Sequence, residues 1–453
     1  MVYKSTIIGR RTLKWMELAT YSSLLVLSVS AQAQTLEQAI SQTLTTNPEV
    51  KKAYNSYLSF IADSESVSGN YLPSIDLDAG IGLESINPAD STSTPSTDMT
   101  RKDATLSLTQ LIWDGSNTIN DIDRTKAEAE SARLQLMSLA ENKALDVSQV
   151  YLDAIKATEV LALSESNLAI HKKIYKDIKK RATSGIGSTA DVSQVEARIA
   201  RAHGNLLAAQ NNLFDTHTVF TQIVGSPPQA LIYPRADANT LPLSQQEGIE
   251  RAFEYHPVIL TAQSDVKAAK YQYAQSKSTN YPSFSFEAAQ TWRDDAGGIE
   301  GNSDEFSAMI RMRYNLYSGG SDSANSDKSA YQLNMAKDLR DSAYRNVEEG
   351  FRLSWSALDL TLQQKQFLAD HVDAASDTVI AYEKQYRIGK RTLLDLLNTE
   401  NELFEARKSY LDAHYAEQFA KYKVLHATGT LLPSLLIDTP KKWDSKQSEE
   451  KDK

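Results

Sequence analysis

The 453-residue sequence predicts a mainly helical fold with a small β part, and three features carry that prediction. From about 117 to 183, and again from about 324 to 387, no proline and only one internal glycine, Gly350, intervenes. At 1.5 Å per residue each stretch makes a helix roughly 100 Å long, too long for a compact domain of this size. Short segments with strict apolar and polar alternation stand between the helices. The whole pattern is then written a second time. The expected architecture is a wall of very long helices forming a tunnel, continuous with four strands per chain that contribute to a shared β-barrel.

Lys4, Arg10, Arg11 and Lys14 precede an apolar run from Ala19 to Val29, and Ala31-Gln32-Ala33 supplies a small-x-small cleavage signature. Residues 1–33 therefore read as a secretory signal peptide, with the mature chain beginning near Gln34. Cysteine is absent, which excludes disulfides, zinc-cysteine sites, thiol nucleophiles and a lipid-anchored N-terminal cysteine. The formal charge of -10 argues against nucleic acid as a partner. Mean hydropathy is -0.42, and no internal stretch approaches the roughly 20 apolar residues of a spanning helix. A β-barrel escapes that exclusion, because its strands are short and only half apolar.

Two repeats follow, 34–225 and 243–432, joined by a linker at 226–242; a charged tail at 433–453 reads as disordered. Asn47-Pro48 is matched by His256-Pro257, and Pro73-Ser74 by Pro282-Ser283, each 209 residues later. Gln110 to Ser116 is matched by Asn315 to Ser321, and Gly185, Ser188, Asp191 and Glu196 by Gly389, Thr392, Asp395 and Glu400. Each half reads helix, strand, loop, strand, very long helix, turn, helix.

In the first strand Ile75, Leu77, Ala79, Ile81 and Leu83 alternate with Asp76, Asp78, Gly80, Gly82 and Glu84. A second strand lies around Ala104 to Leu111. The second half places Phe284, Phe286, Ala288 and Trp292 on one face, then Phe306, Ala308, Ile310, Met312 and Tyr314 opposite Arg311 and Arg313. The polar stretches Ser85 to Asp103 and Arg293 to Glu305 read as the loops between paired strands. Alanine-rich heptads such as Ile122, Ala129 and Leu136, resumed by Val147, Ala154 and Leu161, favour close coiled packing of the long helix.

A half-buried sheet on a core would explain such strands, but the flanking helices offer nothing to cover four of them. If the apolar face meets lipid, the sheet must close, and four strands cannot close alone. About eight strands make the smallest common barrel, so a trimer would supply twelve and a dimer eight. Asp76, Asp78, Glu84, Arg311 and Arg313 would then line a wet lumen, and Trp113, Tyr281, Trp292, Tyr314 and Tyr317 would sit near strand ends as an interfacial girdle.

These residues resemble the TolC-like outer-membrane efflux and secretion proteins, from Thr35-Leu36-Glu37-Gln38-Ala39 to Ala427-Thr428-Gly429. The most specific segment is Tyr386 to Asn398, with a weaker echo at Arg181 to Val192. The resemblance implies a homotrimer in the outer membrane: a 12-stranded barrel continuing as a helical tunnel in the periplasm. It also implies docking to a periplasmic adaptor (membrane fusion protein) and an inner-membrane transporter, ATP-driven in the favoured reading. No catalytic residue, metal site or cofactor is expected, because the seven histidines lack ligand spacing and no phosphate loop is present.

Gly185 and Gly389 break the long helices, and Ser188 and Thr392 are placed to cap the helices that follow. Carried over from the family, Asp395 would stand in a constricting ring at the periplasmic tip, while Arg391 and Tyr386 would bind Asp191. The second ring acid falls on Asn398, a departure that puts strong cation selectivity in doubt. The resemblance lies nearest the protein-secretion branch, so type I secretion is expected ahead of drug or metal efflux. A secreted coiled-coil or adhesion protein without a channel is the alternative from another class.

Overall fold

The computed structural model describes residues 33–87 and 97–443. The expected signal peptide and the end of the charged tail lie outside them. Two elements open each half: α1 (Leu36–Thr46) and α2 (Pro48–Gly69), then α5 (Gln245–Tyr255) and α6 (Pro257–Ser276). Strands β1 (Ser74–Ile86) and β2 (Thr97–Trp113) lead into α3 (Asn117–Thr183) and α4 (Thr189–Val224). In the second half β3 (Ser283–Ala296) and β4 (Ile299–Arg313) lead into α7 (Ser321–Arg387) and α8 (Leu393–Ala427). A short α9 (Leu431–Ser434) follows.

Local chemistry sets the boundaries. Asn47 Oδ1 accepts the Glu49 amide at 2.8 Å and His256 Nδ1 accepts the Val258 amide at 3.3 Å, so each caps a helix whose first residue is proline. Helices α3 and α7 are 67 residues each, about 100 Å of unbroken helix. Nearer the sheet α3 packs on α2 and α6, and α6 on α7. Towards the far end α3 packs on α4 and α8, and α8 on α7. Each chain is thus a wall four helices wide, with α7 at one edge throughout and α2 or α4 at the other.

The sheet has the order β1-β2-β3-β4, antiparallel throughout, and its outer strands β1 and β4 have free edges. Its strands exceed the expected lengths. The stretch Arg293 to Glu305, expected as a loop, is strand on both sides of a two-residue Gly297-Gly298 turn, and β2 already begins at Thr97. Polar composition there reflects the water on that side, not a lack of pairing: Thr291, Arg293 and Asp294 pair with Glu305, Ser303 and Asn302.

The largest core lies at mid-length, where Leu36, Ile40, Leu136, Val147, Tyr151, Phe220 and Leu425 are buried together. The Tyr151 hydroxyl lies 2.7 Å from the carbonyl oxygens of Gln34 and Ile232 and accepts the Ile232 amide at 3.0 Å, tying the chain start to the inter-repeat linker. Residues 433–443, expected within a disordered tail, instead fold back on this core. Leu435 and Ile437 pack against it and Trp443 is 2% exposed. The apolar side chains between the charges account for this.

Glu141 of α3 holds that returning segment. Its carboxylate accepts the Leu431 and Leu432 amides at 3.1 and 3.2 Å. Burial pushes its pKa up to about 7 against the opposing pull of those amides. A folded-state value above the unfolded one means stability present in full below about 4.5 and lost as pH rises through about 7, by at most about 3 kcal/mol. Half-buried His256, pushed down to about 4 by its loss of solvent, contributes the opposite trend over part of that range. The informative quantity is therefore a difference. The gap in thermal stability between wild type and Glu141→Gln is expected to shrink between pH 5 and pH 8, and a constant gap would remove Glu141 from the pH dependence.

Candidate functional site

Two regions gather the candidate residues: the sheet face that carries charge and the turns that end the long helices. Paired residues in a sheet share a face, so the register assigns every side chain. Asp76, Asp78 and Glu84 pair with Ser107, Thr105 and Met99, and Thr105 and Ser107 continue through Thr291 and Ala289 to Glu305 and Ser307. Arg311 and Arg313 pair with Ser285 and Ser283 on that same face. All five candidate lumen residues therefore share one polar face. Ion pairs cross it: Arg311 with Glu287 at 2.7 Å, Arg101 with Glu84 at 3.0 Å and Asp103 at 2.7 Å, and Arg293 with Glu305 at 3.2 Å.

The opposite face carries Ile75, Leu77, Ile81, Leu83, Leu106, Leu108, Phe286, Phe306, Ile310 and Met312. Leu83 is 92% exposed and Ile81 75%, with nothing among the described residues to cover them. Trp113 contacts Tyr281 and Phe284 at ring-centroid distances of 5.9 and 6.3 Å, at the helix end of the sheet. Trp292 is not in that cluster. It stands eight residues along the strand from Phe284, the partner of Trp113, or about 26 Å. Allowing for strand tilt, that separation spans most of an apolar band of about 25 Å.

At the far end, α3 turns into α4 and α7 into α8. Gly185 and Gly389 adopt φ of +74° and +76°, where a side chain would be strained. In both turns an amide reaches back to the helix end, Ile186 to the Arg181 carbonyl at 3.1 Å and Lys390 to that of Gln385 at 2.9 Å. Ser188 accepts the Ala190 amide at 3.1 Å. Thr392 and Asp395 form a reciprocal capping box: Thr392 Oγ1 accepts the Asp395 amide at 3.2 Å, and Asp395 Oδ2 accepts the Thr392 amide at 3.2 Å. The Thr392 hydroxyl, which donates to Asp395 Oδ2 at 2.9 Å, does most to hold the Asp395 carboxyl below its ordinary range, with the Thr392 amide and the Arg391 charge adding to it.

The two turns are joined by a small core of Ile178, Val195, Leu393 and Leu397, against which Tyr386 packs. Arg181 lies over the Tyr386 ring at 5.4 Å, and Asp191 is close enough for its charge to raise the pKa of that phenol, though burial contributes more. Asp191 thus acts on Tyr386 through its charge, and among the described residues no hydrogen bond joins the two; nor does an ion pair join Arg391 to Asp191. Its guanidinium instead donates to Gln385 Oε1 at 3.2 Å and lies over the Tyr382 ring at 4.3 Å, both on its own hairpin. The cation nearest the tyrosine comes from α3, whose last turn ends beside it.

Asn398 also has a partner that the sequence reading missed. Arg198 Nη2 of α4 donates to Asn398 Oδ1 at 2.7 Å. Arg198 stands two helical turns beyond Asp191 and Asn398 one turn beyond Asp395, so spacing within either helix does not by itself pair them. Because Asp395 also caps its helix, Asp395→Asn tests a ring charge more cleanly than Asp395→Ala, for it keeps an acceptor for Thr392. Block by multivalent cations is expected to weaken in Asp395→Asn, and full retention of block would take Asp395 out of the constriction.

A sheet with one lipid-compatible face and one charged face, continuous with a helical wall about 100 Å long, defines an outer-membrane channel with a helical tunnel. The chain belongs to the outer membrane efflux protein family, whose model matches residues 39–226 and 248–430. It is 27% identical over 340 residues to the outer membrane efflux protein BepC of Brucella suis, covering 75% of this chain and 74% of that one. Outer membrane protein TolC of Vibrio cholerae is 22% identical over 434 residues, covering 94% and 97%. The alkaline protease secretion protein AprF of Pseudomonas aeruginosa is 21% identical over 320 residues, covering 69% and 66%. Among solved structures, the CmeC outer membrane channel of Campylobacter jejuni superposes with a TM-score of 0.76 at 14% identity, over 92% of this chain and 89% of that one. The sheet therefore lies in the outer membrane and the helices form the periplasmic tunnel.

Proposed function

We propose that this protein is the passive exit duct of a tripartite type I secretion system, assembled as a homotrimer and closed at the helical tip when idle. One observation carries the duct reading: β2 and β4 lead through short turns directly into the long helices α3 and α7, so closing the sheet also closes the helical wall into a tube. Strands β1 and β4 leave free edges that pair head to tail with further copies, and three chains give twelve strands. The helices support the same closure. Leu353, Leu360 and Phe367 on the α7 edge are seven residues apart and 65, 61 and 73% exposed; Leu207 and Phe214 on the α4 edge are 64 and 70% exposed. Apolar heptad stripes at opposite edges of one wall suit neighbouring copies.

Protein secretion is favoured over drug or metal efflux by similarity to relatives named for protease secretion, AprF and PrtF, and by the lack of any cysteine for a lipid anchor. A transporter coupled through a periplasmic adaptor supplies the energy, since a duct has no chemistry of its own. The test is twofold. The protein extracted in mild detergent should run as a heat-modifiable trimer and conduct ions in planar bilayers; a fibre without conductance would end the duct reading. Disrupting the gene should then remove particular proteins from the medium. Unchanged secretion with greater drug or metal sensitivity would assign the duct to efflux instead.

A further inference from the structure

The last three turns of α3 carry an arrangement of charge that the duct reading leaves unused. Lys172, Lys173, Lys176, Lys179 and Lys180 are all exposed, and no ion pair holds any of them among the described residues. At 100° per residue they fall within an arc of about 120°, over about 12 Å of helix. That arc points away from Ile174 and Ile178, which pack into the core joining the two hairpins. Five cations thus form one lengthwise stripe on a chain whose formal charge is -10.

The internal repeat provides a control. Counting back from the matched glycines, the equivalent positions at the end of α7 are Ser376, Asp377, Ile380, Glu383 and Lys384. Both helices end in the same kind of glycine turn, and both must satisfy the same negative helix end. Only one carries the stripe. Neither helix stability nor turn formation therefore requires it. Asp177, exposed beside the stripe four residues from Lys173 and three from Lys180, is the one acid of these turns, so five lysines keep an excess of positive charge that repels unless further counter-charge is supplied.

Resting on the duct reading, we infer that this stripe is the docking face for a periplasmic partner helix with a carboxylate-rich side, laid lengthwise along α3. A membrane surface fits less well. The apex of this hairpin, Ser184-Gly185-Ile186-Gly187-Ser188, is uncharged, and the lysines lie along its flank, where a partner running parallel to the tunnel would meet them. Long-range attraction between the stripe and such a helix speeds docking, and register follows from the spacing of the charges.

The test uses the full-length trimer in living cells, with a photoreactive residue at position 172 and mass spectrometry of the captured segment. Capture of one periplasmic helix rich in Asp and Glu is expected. It should fall at least tenfold in K176E/K179E and return when two acidic residues of the captured segment are changed to lysine. Capture of lipid or of a second copy of this chain, capture indifferent to K176E/K179E, or no capture would each overturn the proposal. Conductance of K176E/K179E in planar bilayers keeps the two readings apart. Unchanged conductance with lost capture supports a docking face, whereas altered ion selectivity with intact capture would place the lysines in the lumen and overturn it.

Discussion

Tyr386→Ala is expected to raise single-channel conductance several-fold, whereas Arg391→Ala stays within a factor of about two of wild type. The difference follows from what each side chain touches. Tyr386 packs against the apolar core that joins the α3–α4 turn to the α7–α8 turn, and its ring carries the Arg181 guanidinium at 5.4 Å. Truncating a large side chain in such a place costs on the order of 3 kcal/mol, less here because the ring is only half-buried. A cation over an aromatic ring adds about 0.5–1 kcal/mol. Arg391 reaches only Gln385 and Tyr382 of its own hairpin, so its loss leaves the contact between hairpins in place. Tyr386→Phe keeps the ring and should fall near wild type, and Arg181→Ala should lie between. If Arg391→Ala opened the channel as far as Tyr386→Ala, the closed tip would depend on a contact between neighbouring chains, not on this one. In the proposed trimer three equivalent contacts act together, so a modest change at each shifts the open population steeply.

How much of this was legible in the sequence depended on how local each feature is. The ends of α3 at Thr183 and α7 at Arg387 could be read because Gly185 and Gly389 interrupt long runs without proline. The two sheet faces could be read because period-2 alternation puts Asp76, Asp78 and Glu84 opposite Ile75, Leu77 and Leu83, whatever the partner strand. The extent of the strands could not. Beyond the apolar band both faces meet water, and residues such as Arg293 and Asp294 then resemble a loop. The partner of Asn398 was hidden for a different reason. Pairing Arg198 with it needs the rotation of α4 relative to α8, which the packing of Val195 against Leu393 and Leu397 fixes and no spacing within one helix reveals. Trp443 lies among charges, and only the groove that receives it shows that it is buried.

Asn398→Asp is expected to lower conductance, raise cation selectivity and strengthen block by multivalent cations. In wild type the tip position one turn after Asp395 is neutral and tied to a cation, since Arg198 donates to Asn398 at 2.7 Å. In the proposed duct each chain therefore adds a positive charge beside the entrance where the family pattern would add a negative one. The substitution turns that hydrogen bond into an ion pair at an exposed site, worth roughly 0–1 kcal/mol, so closure should tighten only slightly. The larger effect is electrostatic. Three carboxylates near a narrow axis concentrate counter-ions and hold a trivalent cation far better than three amides. Arg198→Ala should shift selectivity in the same direction by removing three cations, yet loosen the tip, so its conductance should rise while that of Asn398→Asp falls. In the double variant the carboxylates have no guanidinium beside them and repel one another, so it should be both the most cation-selective and the easiest to open. Bilayer recordings of the four proteins under one salt gradient give reversal potential and conductance together. If reversal potential did not respond to either residue, the pair would lie away from the conduction path and would serve only to fasten α4 to α8.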